Sequence, residues 1–361
     1  MARERGMNKM IAVLLLVACS PDATEKEIAP SLDYDVVQAT VSMDYAVGSL
    51  ATIDKESHGI GDQISSISGD PVLDFDGTYL WQLNRYRYDT LRKYDPANLS
   101  VPIAEVSLRF GTEESSNPQA AVRCDEKLFV SQHDKSELLV LDIDTLDKIG
   151  TVPLDAFIDA DGSPEAATMV NKDSDSLYLG LQRLDRNQNW SSVGSVIVEV
   201  DCSSQEIVSE YDFGADIRLY DDENSILMST SARNEQNGGI FTMTEDGAFT
   251  PYVEMDEHEI LDVTSIGEYL YFITITEDFG QQEVYCASKE DGILYSLRSF
   301  SEFLTFIQSD GDSLWIGAHW GWNDPENAMY GTHVWSVEGC SILEEVHIKG
   351  EFAPFDMVFV K

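Results

Sequence analysis

Three observations predict that this 361-residue chain is all-β and built from a repeated four-stranded sheet. The first is a recurring phrase of aromatic and aliphatic residues. It reads Tyr79-Leu80-Trp81-Gln82-Leu83, Leu128-Phe129-Val130-Ser131, Leu177-Tyr178-Leu179-Gly180-Leu181, Ile226-Leu227-Met228-Ser229, Leu270-Tyr271-Phe272-Ile273 and Leu314-Trp315-Ile316-Gly317. The second is what precedes each copy, an acidic, Gly or Asn turn such as Asp76-Gly77, Asp125-Glu126, Gly267-Glu268 or Asp310 to Ser313. The third is the spacing: the copies start about 44 to 49 residues apart, the period of propeller blades and similar arrays. No helical periodicity persists beyond a single turn's worth of residues near Glu113 to Ala121. A ring of four-stranded blades follows.

The blades are read in order, inner strand to outer. Blade 2 takes 71–74, 79–84, 91–94 and 103–110; blade 3 takes 119–124, 127–132, 137–142 and 148–154. Blade 4 takes 166–171, 176–184, 195–201 and 206–213; blade 5 takes 216–220, 225–231, 239–244 and 249–253. Blade 6 takes 261–266, 269–276, 283–288 and 293–300; blade 7 takes 303–308, 313–318, 332–337 and 342–348. The N-terminal strands 36–45, 49–54 and 62–67 lack an inner partner, and the C-terminal strand 352–360 lacks a blade. Joined, they complete a seventh blade and remove the exposed sheet edges that invite aggregation. The predicted fold is a seven-bladed β-propeller of four-stranded blades, closed by N- and C-terminal strands sharing one blade. Its domain spans 34–361, longer than the usual domain of about 150 residues but ordinary for all-β rings.

The N-terminus reads differently. Arg3, Arg5 and Lys9 precede an apolar run from Met10 to Val17, which is too short to cross a bilayer. The run ends in Leu16-Val17-Ala18-Cys19, followed by Ser20-Pro21-Asp22. This stretch resembles a bacterial lipoprotein signal peptide with its lipobox. The resemblance implies removal of residues 1–18, lipidation of Cys19, and a flexible tether over residues 19–33. Ser20 in place of an Asp is compatible with sorting to the outer membrane, so the expected location is the cell envelope, lipid-anchored and periplasmic or surface-exposed. Exported chains form disulfides; Cys124, Cys202, Cys286 and Cys340 allow three pairings, or none if the thiols stay free inside strands.

Acidic residues outnumber basic ones 65 to 23, for a formal net charge of −42. Such a field repels phosphate backbones and anionic head groups, which excludes nucleic acid as a natural partner. Enzyme signatures are absent: no nucleophile elbow, no HExxH, no phosphate loop and no haem-attachment motif occurs.

Over 34–361 the chain resembles the YVTN-like, quinoprotein-like propeller superfamily, and within it bacterial seven-bladed propeller lipoproteins. The resemblance is carried by Leu138-Leu139-Val140-Leu141-Asp142-Ile143-Asp144-Thr145-Leu146, by Asn117-Pro118-Gln119 opening an inner strand, and by Gly48-Ser49-Leu50-Ala51-Thr52-Ile53-Asp54. The literal Tyr-Val-Thr-Asn tetrad is missing; Leu-Phe-Val-Ser and Leu-Tyr-Leu-Gly stand in its place. The resemblance implies architecture, since one fold hosts many functions.

Propeller topology puts two loop classes on one face: those joining second to third strands, and those joining one blade to the next. The insertions at 85–90, 155–165, 185–194 and 319–331 all belong to these classes. Binding residues gather on such loops. Asp159, Asp161 and Glu165 surround a Gly turn and offer oxygens to calcium, the one cofactor this chain suggests, although the spacing departs from the EF-hand loop and acidic residues also simply make turns. Arg85, His133, Arg183, Arg233 and His319, with Trp320, fall at the ends of second strands and would ring the mouth of the channel. They suit an anion or polar ligand through charge-assisted hydrogen bonds; alternatively, the arginines hold loops by pairing with Asp89, Asp185 or Glu235. The sequence therefore points to a monomeric, lipid-anchored binding module for an envelope protein, glycan or small polar ligand. The alternative is a metal-assisted lyase, lactonase or hydrolase.

Overall fold

The computed structural model describes residues 32–111, 114–214, 216–222, 225–230, 238–244, 247–255, 258–276, 281–319 and 330–361. Among them are seven four-stranded antiparallel sheets. From the channel outward, each sheet runs inner, second, third and outer strand. The inner strands of blades 2 to 7 are Pro71–Phe75, Pro118–Cys124, Ala166–Asn171, Ile217–Asp222, His258–Ile266 and Phe303–Ser309. The second strands are Leu80–Asn84, Lys127–Gln132, Ser176–Leu181, Ser225–Thr230, Tyr269–Thr276 and Ser313–His319. In blade 1 the C-terminal Ala353–Phe359 is the inner strand and pairs antiparallel with Val36–Val41, followed by Gly48–Ile53 and Ile60–Ile67. The chain ends thus close the ring as the sequence predicts.

Burial explains why the second strands carry the repeated phrase. Each lies between two neighbouring blades, so both of its faces are covered: Ser176–Leu181 and Val36–Val41 are buried at every position. A strand buried on both faces reads as a continuous apolar run. The outer strand Glu206–Phe213 instead alternates exposed and half-buried residues up to Phe213, the pattern of a sheet edge with one solvated face. The buried apolar residues fall into seven clusters, one at each interface between adjacent blades.

Several boundaries differ from the sequence reading: the outer strand of blade 2 is only Ala104–Ser107, the inner strand of blade 6 begins at His258, and two further differences have a clear local cause. The first strand stops at Val41 because Asp44 accepts hydrogen bonds from Ser42 Oγ and Ala46 N, which bends the chain before Tyr45. The insertion after Ser176–Leu181 forms a small hairpin, Leu184–Asp185 with Ser191–Ser192, around a 3₁₀ turn at Arg186–Gln188.

Aspartates build the opposite face from the long loops. Asp310 Oδ1 accepts the amides of Asp312 and Ser313 while Oδ2 accepts Trp315 Nε1 at 3.1 Å. Asp76 repeats the arrangement with Thr78, Tyr79 and Trp81. Gly77 and Gly311 follow at φ +83° and +93°, where a side chain would be strained. The Asp310 carboxylate also pairs with Lys55 at 2.9 Å and is almost wholly buried. Asp310→Ala is therefore expected to lower stability by about 2–3 kcal/mol, because it leaves an indole and two amides unpartnered. Chemical denaturation of the variant checks this.

Candidate functional site

Among the described residues the loops at 85–90, 155–165 and 185–194 gather on one face; residues 320–329 of the remaining insertion lie outside the described residues. Arg85 N donates to Asp70 O, His133 N to Asn117 O and Gln182 N to Glu165 O, each linking a second-to-third loop to the preceding blade-to-blade connection. Arg85 lies here with its guanidinium on Asp70 and, through Nη1, on Gln119 Oε1 at 3.1 Å, so it ties the entries of blades 2 and 3 together. The partner is Asp70; Asp89 pairs with Arg109 instead. Arg183 Nη1 donates to Gly194 O at 3.1 Å, closing the base of the blade-4 hairpin. His133 is inside the loop packing, where its carbonyl accepts Ser163 Oγ at 2.6 Å. His319 is buried and stacks on Tyr45, with ring centroids 4.7 Å apart and planes 9° from parallel. These four share the expected face, each with an intramolecular role there. Arg233 and Trp320 lie outside the described residues, as does Cys19.

Asp159, Asp161 and Glu165 converge: one oxygen from each lies within 4.8 Å of the others. The positioning is local. Asp161 Oδ1 accepts Ser163 N, Asp159 Oδ1 accepts Asp161 N, and Gly162 turns the chain at φ +93°. The blade-4 hairpin is clasped against them: Leu184 N donates to Glu165 Oε2 at 2.9 Å and Arg186 N to Asp161 Oδ2 at 3.0 Å. Glu165 is completely buried. Burial, with Asp161 and Asp159 beside it, pushes its carboxyl up to about 8. Burial also raises Asp159, whereas at Asp161 burial is outweighed by the Arg186 and Ser163 amides, so its carboxyl sits below the usual range.

Sequence reasoning missed Arg186 and Trp190, although both lie in the hairpin insertion it singled out. Arg186 Nη2 bonds Asp134 and approaches His133 Nδ1 at 3.3 Å, and its guanidinium stacks over Trp190 at 5.2 Å. It also missed the Tyr86-Arg87-Tyr88 tip. Tyr86 and Tyr88 are 52% and 59% exposed. Below them Asp89 is fully buried and accepts Arg109 Nε, Ser115 Oγ and Asn117 N at 2.8–3.0 Å. Arg109 also donates to the Arg87 carbonyl. Arg87 stacks on Tyr86 at 4.9 Å and has no carboxylate partner among the described residues. A Tyr, an Arg and a Tyr adjacent in sequence give no period, so the signal available was their composition alone.

Polar residues of the inner strands, and Ser131 of a second strand, have another task. Asp262 Oδ2 accepts Ile307 N and Asp356 Oδ2 accepts Leu73 N, at 2.7 and 2.8 Å. Thr168 Oγ1 accepts Leu219 N, Ser131 Oγ donates to Ala167 O, Thr305 Oγ1 to Pro354 O, and Arg218 Nη1 to Leu261 O. Each bond crosses to the next blade, so these groups hold the ring closed. At the Asp-turn end the channel opens into a cavity of about 250 Å³ walled by Asp74, Asp76, Asp221, Arg123 and Asn171 among others.

Comparison with solved structures agrees with this architecture. A 6-phosphogluconolactonase candidate from Bacteroides uniformis superposes with a TM-score of 0.64 at 13% identity, covering 91% of this chain and all of that one. Hydrazine synthase of Kuenenia stuttgartiensis gives 0.53 at 12%, covering 88% and 99%, and apo AztD of Citrobacter koseri gives 0.52 at 11%, covering 91% and 98%. No family model matches the chain, and no curated protein matches it. At these identities the likeness is one of fold: the chain is a seven-bladed β-propeller.

Proposed function

We propose that this propeller is a lipid-anchored, extracytoplasmic binding module whose loop face engages a partner at the cell envelope. The observation that carries the reading is the composition and rigidity of that face. Of the large apolar side chains more than a third exposed, Met43, Val47, Tyr86, Tyr88, Phe110, Ile158, Trp190 and Val193 all sit on its loops. Tyr, Trp and Arg dominate the energetics of protein interfaces. Here buried Asp89 anchors Arg109, which holds the Arg87 carbonyl; Arg87 stacks on Tyr86 and Arg186 over Trp190, so part of the ordering cost of docking is already met. A folded envelope protein fits such a surface better than a small ligand. Two disulfides, Cys124–Cys202 and Cys286–Cys340, support an exported location.

A photo-crosslinking residue at position 88 or 190 in cells is expected to trap one partner, and the same residue at the outer-strand position 208 is expected to trap none. Tyr88→Ala and Trp190→Ala should each weaken the purified pair at least about tenfold. Equal trapping at all three positions would defeat the reading. Cys19→Ser is expected to move the protein from the membrane fraction to the soluble fraction; an unchanged distribution would count against the anchor.

The alternative, a metal-assisted lyase, lactonase or hydrolase, is favoured only by the convergence of Asp159, Asp161 and Glu165 on this face. Complete burial keeps Glu165 from touching a substrate. Metal-dependent turnover of a lactone or ester, abolished by Asp159→Asn, would establish the enzyme reading instead.

A further inference from the structure

We infer that the loop face holds one calcium ion, bound by Asp159, Asp161 and Glu165 between the 155–165 connection and the blade-4 hairpin. The inference deepens the binding reading and rests on it only in giving the ion a purpose, which is to fix the hairpin that presents Trp190.

The convergence of three carboxylates would not alone make a site. The second observation is what their oxygens lack. Glu165 is completely buried, yet its Oε1 makes no hydrogen bond, and Asp159 Oδ2, also cut off from water, makes none. A buried carboxylate oxygen without a donor costs about 1–3 kcal/mol or more. The nearby cation does not fill the gap. The Arg186 guanidinium directs its hydrogen bonds to Asp134 and His133. It stands 3.4 Å from Glu165 Oε1 and 3.6 Å from Asp161 Oδ2 without hydrogen-bonding either, and only the Arg186 amide donates to Asp161. Its own Nε, paired with Asp161 at 3.6 Å, makes no hydrogen bond. One guanidinium therefore faces Asp134, Asp161 and Glu165, with Asp159 and Asp185 close behind. The charge balance leaves room for a dication.

The donor set selects its class. All three ligands are carboxylate oxygens, the choice of a hard cation. Calcium–oxygen distances of about 2.3–2.6 Å put ligands on opposite sides of one ion about 5 Å apart. Oxygens within 4.8 Å of one another lie inside that span. Magnesium at about 2.0–2.1 Å would draw the ligands closer and demand a stricter octahedron. The ion would join two segments now linked by the Leu184 and Arg186 amides.

The test is calorimetric titration of chelator-treated, purified protein with calcium chloride, with Trp190 fluorescence followed in parallel. One ion per chain is expected, in the roughly 10⁻⁴ M range of extracellular calcium modules. Asp159→Asn and Glu165→Gln are each expected to weaken binding at least tenfold. The fluorescence change should disappear in Asp159→Asn and in Trp190→Phe. Asp159 lies toward the surface, so its variant remains informative if the buried Glu165→Gln fails to fold. No binding at about 10 mM calcium, binding undiminished in Asp159→Asn, or equal affinity for magnesium would overturn the assignment. Crosslinking from position 88 needs no added calcium, so failure here leaves the partner reading standing, and failure there leaves the ion standing.

Discussion

Raising the pH from 4.5 to 8 is expected to lower the melting temperature of this protein by about 5 °C or more, the reverse of what an acidic surface pairing with cations would give. The cause lies in the channel. Asp74, Asp262 and Asp356 project from the inner strands of blades 2, 6 and 1. Burial pushes Asp74 and Asp262 up to about 7 and Asp356 up to about 6. Asp76 and Asp356 raise Asp74 further; Arg218 partly offsets the rise at Asp262, and Arg85 that at Asp356. The backbone amides of Phe75, Ile307 and Leu73 act in the same lowering direction without cancelling burial. A carboxyl whose folded pKa is raised contributes stability that is fully present below its unfolded value near 3.8 and is lost as pH climbs through the folded value. For these three the loss runs from about pH 4 to above pH 7. Each pKa unit is worth about 1.4 kcal/mol. Discounted for water that reaches the channel, each group accounts for about 1–2 kcal/mol. The opposite limb belongs to the turn aspartates. Hydrogen bonds from Ser57, Thr145 and Ser204 hold Asp54, Asp142 and Asp201 below their ordinary value, and amide donors do the same at Asp173. Their contribution is present above pH 4 and lost below it. Maximum stability should therefore fall near pH 4–5. Asp262→Asn keeps an oxygen to accept Ile307 N while removing the charge. It should raise the melting temperature at pH 8 by about 2–4 °C and leave it nearly unchanged at pH 4.5. A loss at pH 8 as large as that at pH 4.5 would mean the clasp requires a charged Asp262.

The same residues explain how much was legible in the sequence. The fold could be read because burial on both faces makes the second strands continuous apolar runs, and because Asp-led turns such as Asp76-Gly77 and Asp310-Gly311 separate them at a fixed period. The leftover strands at the two ends could be joined because a ring cannot leave an edge open. The convergence of Asp159, Asp161 and Glu165 was also legible, since the whole group lies within one turn of chain. What was not legible is long-range. Arg85 meets Asp70 in the connection before its blade and Gln119 in the next inner strand, Arg186 reaches Asp134 across blades, and Asp262 clasps Ile307 across 45 residues. A charged residue near a strand end reads the same whether it faces a ligand or a neighbouring loop. Cysteine pairing falls in the same class, because register between neighbouring blades, and not spacing along the chain, decides which thiols meet.

Removing either disulfide is expected to destabilise the protein by about 2–4 kcal/mol. Cys124 ends the inner strand of blade 3 and bonds Cys202 in the third-to-outer turn of blade 4, 78 residues on. Cys286, in the third strand of blade 6, bonds Cys340 in the corresponding turn of blade 7, 54 residues on. Each bridge crosses from one blade to the next, where side-chain packing, hydrogen bonds and ion pairs such as Arg298–Glu345 also hold the ring. Loops of 54 and 78 residues give a chain-entropy contribution of about 4 kcal/mol each, and native bridges in practice deliver about 2–5. Paired Cys→Ala substitutions suit the test, since Cys124, Cys202 and Cys286 are buried among apolar side chains. The bridges belong to separate clusters and share no partner, so the two double variants should add in the quadruple variant. Denaturant midpoints of the two double variants and the quadruple variant measure this directly. The same protein treated with reductant should match the quadruple variant. A reduced protein that unfolds at the wild-type midpoint would mean that the seven apolar interfaces alone fix the ring and that the bridges add nothing to it.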